Sequence, residues 1–143
     1  LKVAPDLDAA GIEDIARLAL AHGIGALIVA NTTLARPPLR SRHAGEAGGL
    51  SGAPLKSLAL ERLCDFRRAT GGALPLIAAG GITSAEDAYA RIRAGASLVQ
   101  IYSALIYEGP GLARRIVRGL PKLLARDGFD RIGQAIGRDA PLA

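Results

Sequence analysis

The chain has 143 residues, 50% hydrophobic and 22% charged, with 18 glycines, 8 prolines and 3% aromatics, a balance that places it among globular proteins as one domain or part of one. Its net charge of +5 is scattered over several segments with few aromatics to stack bases, so no nucleic-acid partner is expected. No apolar run approaches the roughly 18 residues that cross a bilayer, and Cys64, the single cysteine, excludes an internal disulfide and fits a reducing compartment.

With so few aromatics the core must be aliphatic, which suits helices packed on a parallel sheet whose strands read as continuous apolar runs. The chain contains no methionine and opens on Leu1-Lys2-Val3-Ala4, whereas domain boundaries fall in polar linkers. It is therefore expected to be part of a longer protein, cut within a fold.

Strand and helix signals alternate. Residues 1–4 predict a short strand ending at Pro5-Asp6, and residues 9–22 a helix, with Ile12, Ile15, Ala16, Leu18 and Ala19 at helical spacing, Asp8 as N-cap and Gly23 as stop. Residues 26–30 predict a buried strand. A loop over 31–52, rich in Pro, Arg and Gly, is longer than most connections and so points to function; it ends in Gly48-Gly49-Leu50-Ser51-Gly52. A helix over 53–70 follows, closed by Gly71-Gly72, then a third strand over 74–78 and the pair Gly80-Gly81. Ser84 caps a helix to residue 94, with Glu86 and Asp87 favouring its positive end. Residues 97–101 predict the fourth strand, which delivers Tyr102-Ser103 into a loop. A helix over 111–126, interrupted or kinked near Pro121, and a short helix over 129–136 complete the chain.

Four β-α units of about 30 residues predict an α/β fold with a parallel sheet and right-handed crossovers. A barrel of this kind needs eight units and about 250 residues, so the chain would hold half of one. The active site of such a barrel lies at the C-terminal ends of its strands. Those positions hold Lys2 with Pro5-Asp6, Asn31-Thr32-Thr33, Gly80-Gly81 and Tyr102-Ser103, to which the loop ending at Gly52 is added. Glycine turns expose backbone amides and cradle anions, above all after the last strands of a barrel, although glycine also serves tight turns alone. Lys2 needs a negative partner, either a carboxylate from outside the chain or the electron-rich end of a reduced flavin. Asn31 and Thr32 either bind a small polar ring or cap their own turn. His22 is expected at a helix C-terminus and His43 in solvent, with no metal site between them; Cys64 is expected as a packed thiol, and Arg114, Arg115 and Arg118 as a solvated face.

The segments "LKVAPDL", "VANTT", "GGLSGAPL", "LIAAGGI" and "GASLVQIYSALIYEGPGL" resemble, in order and spacing, the signatures of the dihydroorotate dehydrogenases, in particular their quinone-linked class, over residues 1–120. The resemblance implies that residues 1–143 are the C-terminal half of an FMN-binding (β/α)8 TIM barrel, truncated at its N-terminus and holding the last four β-α units. It implies oxidation of dihydroorotate to orotate in pyrimidine (UMP) biosynthesis, with proton removal by a serine, hydride transfer to FMN and passage of two electrons to ubiquinone. Carried over by position, Lys2 would contact the flavin ring, while Gly52, Gly81, Tyr102 and Ser103 would hold the ribityl phosphate region, and Asn31 and Thr32 would bind orotate. Ala30 stands where the family often has Ser or Thr, so only a backbone contact to FMN is expected there. Ala78 replaces the first glycine of the usual third-strand turn, Gly-Val-Gly-Gly. The serine base and the helices that dock on the cytoplasmic side of a bacterial cell membrane belong to the other half, so this chain alone is expected to be inactive. Two alternatives remain open: another FMN barrel, such as a dihydrouridine synthase, a 2-hydroxy acid oxidase or glutamate synthase, which Asn31-Thr32-Thr33 and Tyr102-Ser103 disfavour; and a non-catalytic half-barrel that binds phosphate and self-associates.

Overall fold

The structure, a computed structural model, describes residues 1–140 and 142. Four short strands, β1 (Lys2–Val3), β2 (Leu27–Val29), β3 (Leu76–Ala79) and β4 (Ala96–Gln100), form one sheet in the order β1-β2-β3-β4, and all three pairings are parallel. Strands adjacent in sequence are adjacent in space. Such monotonic order, without the reversal of a doubly wound sheet, is the pattern of an unrolled barrel wall.

Helices α1 (Ala9–Ala21), α2 (Lys56–Ala69) and α3 (Ala85–Arg93) carry the chain between strands. Asp8 caps α1 by accepting from the Gly11 amide at 2.8 Å, and Ser84 caps α3 by accepting from the Asp87 amide at 3.1 Å, as their sequence positions predict. Both caps satisfy amides that have no partner inside the helix. A single 3-10 turn, Ala53–Leu55, precedes α2 and carries Pro54 at its start.

Alternation along the strands separates two faces. Val3, Val29 and Ala78 pack with Leu63 and Phe66 of α2 and Ala19 of α1 into the main core, where each large side chain contributes about 1.5–3 kcal/mol. Cys64 packs at its edge as expected, and burial pushes its thiol pKa up. The opposite face carries Lys2, Ile28, Ile77 and Leu98 in one cross-strand row. Among the described residues no helix covers that row, and Leu98 is 62% exposed. An apolar row of this kind is the inward face of a barrel wall.

Two expectations are corrected. The segment after Ser103 is not a loop but a short helix, α4 (Ala104–Glu108), because Ala104 is buried against Ile82, Ala88, Leu112 and Ile116. Helix α5 (Leu112–Arg126) runs unbroken through Pro121. Proline removes the bond to the carbonyl four residues back, here that of Val117, a residue that is 66% exposed. The last helix, α6 (Ile132–Ala135), is shorter than predicted, an ordinary terminal discrepancy.

Asp127, the C-cap of α5, ties that helix to α3. It accepts from Arg126 Nε at 2.7 Å, from the Tyr89 hydroxyl at 3.1 Å and from Arg93. The Arg126 contact, reinforced by Tyr89 and Arg93, lowers the carboxyl pKa from 3.8 to about 2. A depressed folded-state pKa gives stability that is complete above the unfolded value and is lost as pH falls through the folded one. The difference in melting temperature between wild type and Asp127→Asn, measured on the full-length protein, is therefore expected to be largest at neutral pH and to close between pH 3.8 and about 2. A gap of constant size down to the lower limit would contradict this assignment.

Candidate functional site

All four strands run the same way, so the turns leaving them open on one edge of the sheet. Backbone bonds lock these turns together: Asn31 N–H donates to the Val3 carbonyl at 2.8 Å and Ala30 N–H to the Ala79 carbonyl at 3.1 Å. Lys2, Ala30, Asn31 and the Gly80-Gly81 turn therefore share one rim. At about 4.8 Å per strand, that rim is roughly 14 Å long from β1 to β4.

Lys2 begins the uncovered row, exposed beside Ile28. Among the described residues it forms no ion pair. Its ammonium is available to a partner on the open face. Ala30 is 2% exposed and its amide is already committed to Ala79, which leaves only its carbonyl for any ligand.

Asn31 and Thr32 are both exposed. The Asn31 side-chain oxygen accepts from the Thr32 amide at 3.0 Å, so asparagine does cap its own turn. Its NH2 group keeps two donors for a ring carbonyl. Thr33 points the other way, 2% exposed, with its hydroxyl on Asp6. Burial opposes ionisation of Asp6, but the Thr33 hydroxyl and the Leu34 and Ala35 amides outweigh it and hold its pKa below the usual carboxylate range.

The long loop folds back on itself. Thr33 and Leu50 exchange two backbone bonds of 3.0 and 2.8 Å, and the Arg36 guanidinium gathers the carbonyls of Thr33, Leu34, Ala35 and Glu46 at 3.0–3.3 Å. This closure returns the chain to the rim at Ser51 and Gly52. His43 sits at the exposed end of the loop, paired with Glu46 at 2.6 Å and away from the site.

At the far end of the rim three segments meet. The Ser51 and Ser103 hydroxyls lie 2.9 Å apart, and a Cβ on Gly52 would contact Ser103 Cβ at 3.7 Å. A Cβ on Gly81 would fall 2.4 Å from Lys56 Cα, and one on Gly80 would fall 2.9 Å from Leu55 Cδ2. Both glycines have positive φ, +101° at Gly80 and +70° at Gly81. Glycine at 80 and 81 thus lets the third-strand turn seat on the start of α2, a packing reason rather than a mere turn preference. Among the described residues the amides of Gly81, Tyr102 and Ser103 donate to no acceptor within the chain. Tyr102 is 86% exposed beside them. A nest of free amides and two hydroxyls is a cradle for an anion.

Three contributors carry no local sequence signal. Ser51 lies next to an expected glycine but contributes a hydroxyl. Asp87, predicted to favour the helix dipole, is instead 6% exposed, paired with Lys56 and bonded to the Thr83 amide and hydroxyl at 3.0 and 2.8 Å. Arg91 is 2% exposed and donates to the Lys56 and Gly80 carbonyls at 2.6 and 3.1 Å. These residues join segments more than 30 positions apart, which periodicity does not reveal.

Residues 1–124 match the family model for dihydroorotate dehydrogenase. The chain is 68% identical over 140 residues to the dihydroorotate dehydrogenase (quinone) of Sphingopyxis alaskensis, covering 98% of this chain and 39% of that relative. It is 60% identical over 139 residues to the same-named protein of Novosphingobium aromaticivorans, covering 97% of this chain and 40% of that one. Among solved structures, the Eimeria tenella DHODH in complex with ferulenol aligns with a TM-score of 0.93 at 47% identity, over 96% of this chain and 37% of its own. The ligand-free form aligns with a TM-score of 0.94 at 46% identity, over 98% and 39%. The chain thus spans roughly 40% of the length of these relatives, and its four-stranded sheet with its helices is part of an α/β TIM barrel. Agreement of this extent in sequence and in backbone shows that the chain belongs to the dihydroorotate dehydrogenase family.

Proposed function

We propose that the full-length protein containing this chain oxidises (S)-dihydroorotate to orotate in pyrimidine biosynthesis, using FMN and passing the electrons to a quinone. The observation that carries the proposal is the single rim, with a free ammonium at one end and a cradle of unpaired amides at the other. Its chemistry fits a ligand with an electron-rich ring and a phosphate. When bound, FMN supplies the acceptor for a hydride leaving the substrate ring.

The chain's own residues then have distinct tasks. Gly52, Gly81, Tyr102 and Ser103 hold the phosphate and ribityl end through amides and hydroxyls, fixed donors that stabilise a dianion. Lys2 places a positive charge where the ring gains electron density. Ala30 offers its carbonyl. Asn31 and Thr32 present an amide and a hydroxyl to the carbonyl and N–H groups of the orotate ring, fixing its orientation. The proton-abstracting serine lies in the part of the barrel outside this chain, as do the helices that seat the enzyme peripherally on the cytoplasmic side of the membrane. The 143 residues are in this account the C-terminal half of the barrel and are inactive alone.

The test is dihydroorotate-dependent bleaching of a quinone-linked dye by the FMN-loaded, full-length protein. Turnover that requires both dihydroorotate and FMN is expected. An intact, flavin-loaded protein that leaves the dye unchanged would sink the proposal.

A further inference from the structure

Arg91 heads the fully buried side chains by volume. Its Nη2 bridges the Lys56 and Gly80 carbonyls, while Nη1 is buried without a hydrogen-bond partner among the described residues. Asp87, one turn earlier on α3, makes its hydrogen bonds to Thr83 and its ion pair to Lys56. Burial opposes its ionisation, but the Lys56 ammonium and the Thr83 donors hold its pKa below the ordinary range. Lys56, Asp87 and Arg91 therefore form a cluster of two cations and one carboxylate, with Arg91 entirely enclosed. An enclosed charge with a spare donor is costly unless something exploits it.

The backbone indicates what does. In a trans peptide the carbonyl and the N–H point in opposite directions. Arg91 draws the Gly80 carbonyl toward α3, so the N–H of the same peptide unit, that of Gly81, is turned away from α3. The second carbonyl it holds belongs to Lys56, the residue on which Gly81 is seated. One guanidinium thus fixes both walls of the cradle from behind.

We propose that Arg91 is a positioning residue for an anionic group held at the Gly80-Gly81 turn: it orients the Gly81 amide and, with Lys56 and Asp87, sets one net positive charge behind it. The inference rests on the function proposed above, in which that group is the phosphate of FMN. Arg91 itself touches no ligand.

FMN and riboflavin, which differ only in the phosphate, are the probes. Their dissociation constants are measured on the full-length protein stripped of flavin. Arg91→Met is expected to weaken FMN roughly tenfold or more, the scale of one charge acting over several Å at an effective dielectric near 20, with riboflavin little changed. Arg91→Lys is expected to recover most of the loss. Asp87→Asn, which raises the cluster's charge by one, is expected to move the preference the other way, toward FMN. A role confined to folding would weaken both flavins alike in every variant. Should Arg91→Met not fold, Lys56→Met removes one charge from a half-exposed position and is expected to lower the FMN preference. A preference unchanged in Arg91→Met or Lys56→Met, or lowered in Asp87→Asn, overturns the inference alone. A wild-type protein that binds neither flavin overturns the proposed function as well.

Discussion

Gly81→Ala in the full-length protein is expected to give an enzyme that purifies without FMN and melts at a lower temperature than wild type. Two costs combine. The backbone at position 81 has φ +70°, where a side chain costs about 1–2 kcal/mol. The added methyl would also lie 2.4 Å from Lys56 Cα, a backbone atom that moves only if α2 moves, and overpacking of this kind costs about 1–3 kcal/mol. The turn must shift, and the amide of residue 81 shifts with it. Gly109→Ala is the internal control, because its φ of +74° is similar but nothing lies within 4 Å of the added carbon. It is expected to retain FMN and lose only the smaller, conformational share of stability. Equal flavin contents in the two variants would show that the seating of Gly81 on Lys56 does not shape the site.

Lys2→Ala is expected to leave folding intact and to slow reduction of the bound flavin by dihydroorotate about 10²- to 10³-fold, the range for removing one preorganised charge-stabilising donor. Lys2 is exposed on the open row and contributes nothing to the main core, so the loss should appear in a stopped-flow reduction rate and not in a melting curve. Its neighbours along that row are Ile28, Ile77 and Leu98, and none of them can neutralise it. Reduction at the wild-type rate would remove Lys2 from the site.

The elements and the rim were legible because their signals are local. Asp8 and Ser84 cap the helices they were expected to cap, apolar runs mark the buried strands, and positive-φ glycines stand where the chain turns. Strand ends then place Lys2, Asn31, Gly81 and Tyr102 on one side with no further information, since a parallel sheet puts every carboxyl end together. What escaped was long-range or very short. Helix α4 is one turn long, too brief for periodicity to register, and exists because Ala104 finds a buried niche. Pro121 reads as an interruption, but α5 continues through it. Arg91 and Asp87 look like an ordinary i, i+4 pair on a helix surface, yet both reach back to Lys56 and to the turn after β3, and only the packing of α3 behind the Gly80 turn reveals it. The long loop stands out in the sequence by its length, but the Thr33–Leu50 bridge that closes it pairs residues with no shared pattern.

A crystal structure of the full-length, flavin-loaded protein is the most direct measurement. It is expected to show one FMN lying along the rim, its phosphate within hydrogen-bonding distance of the Gly81 and Ser103 amides and its ring against the Lys2 ammonium. A flavin bound elsewhere in the barrel, or a phosphate directed at the Lys2 end, would contradict the account.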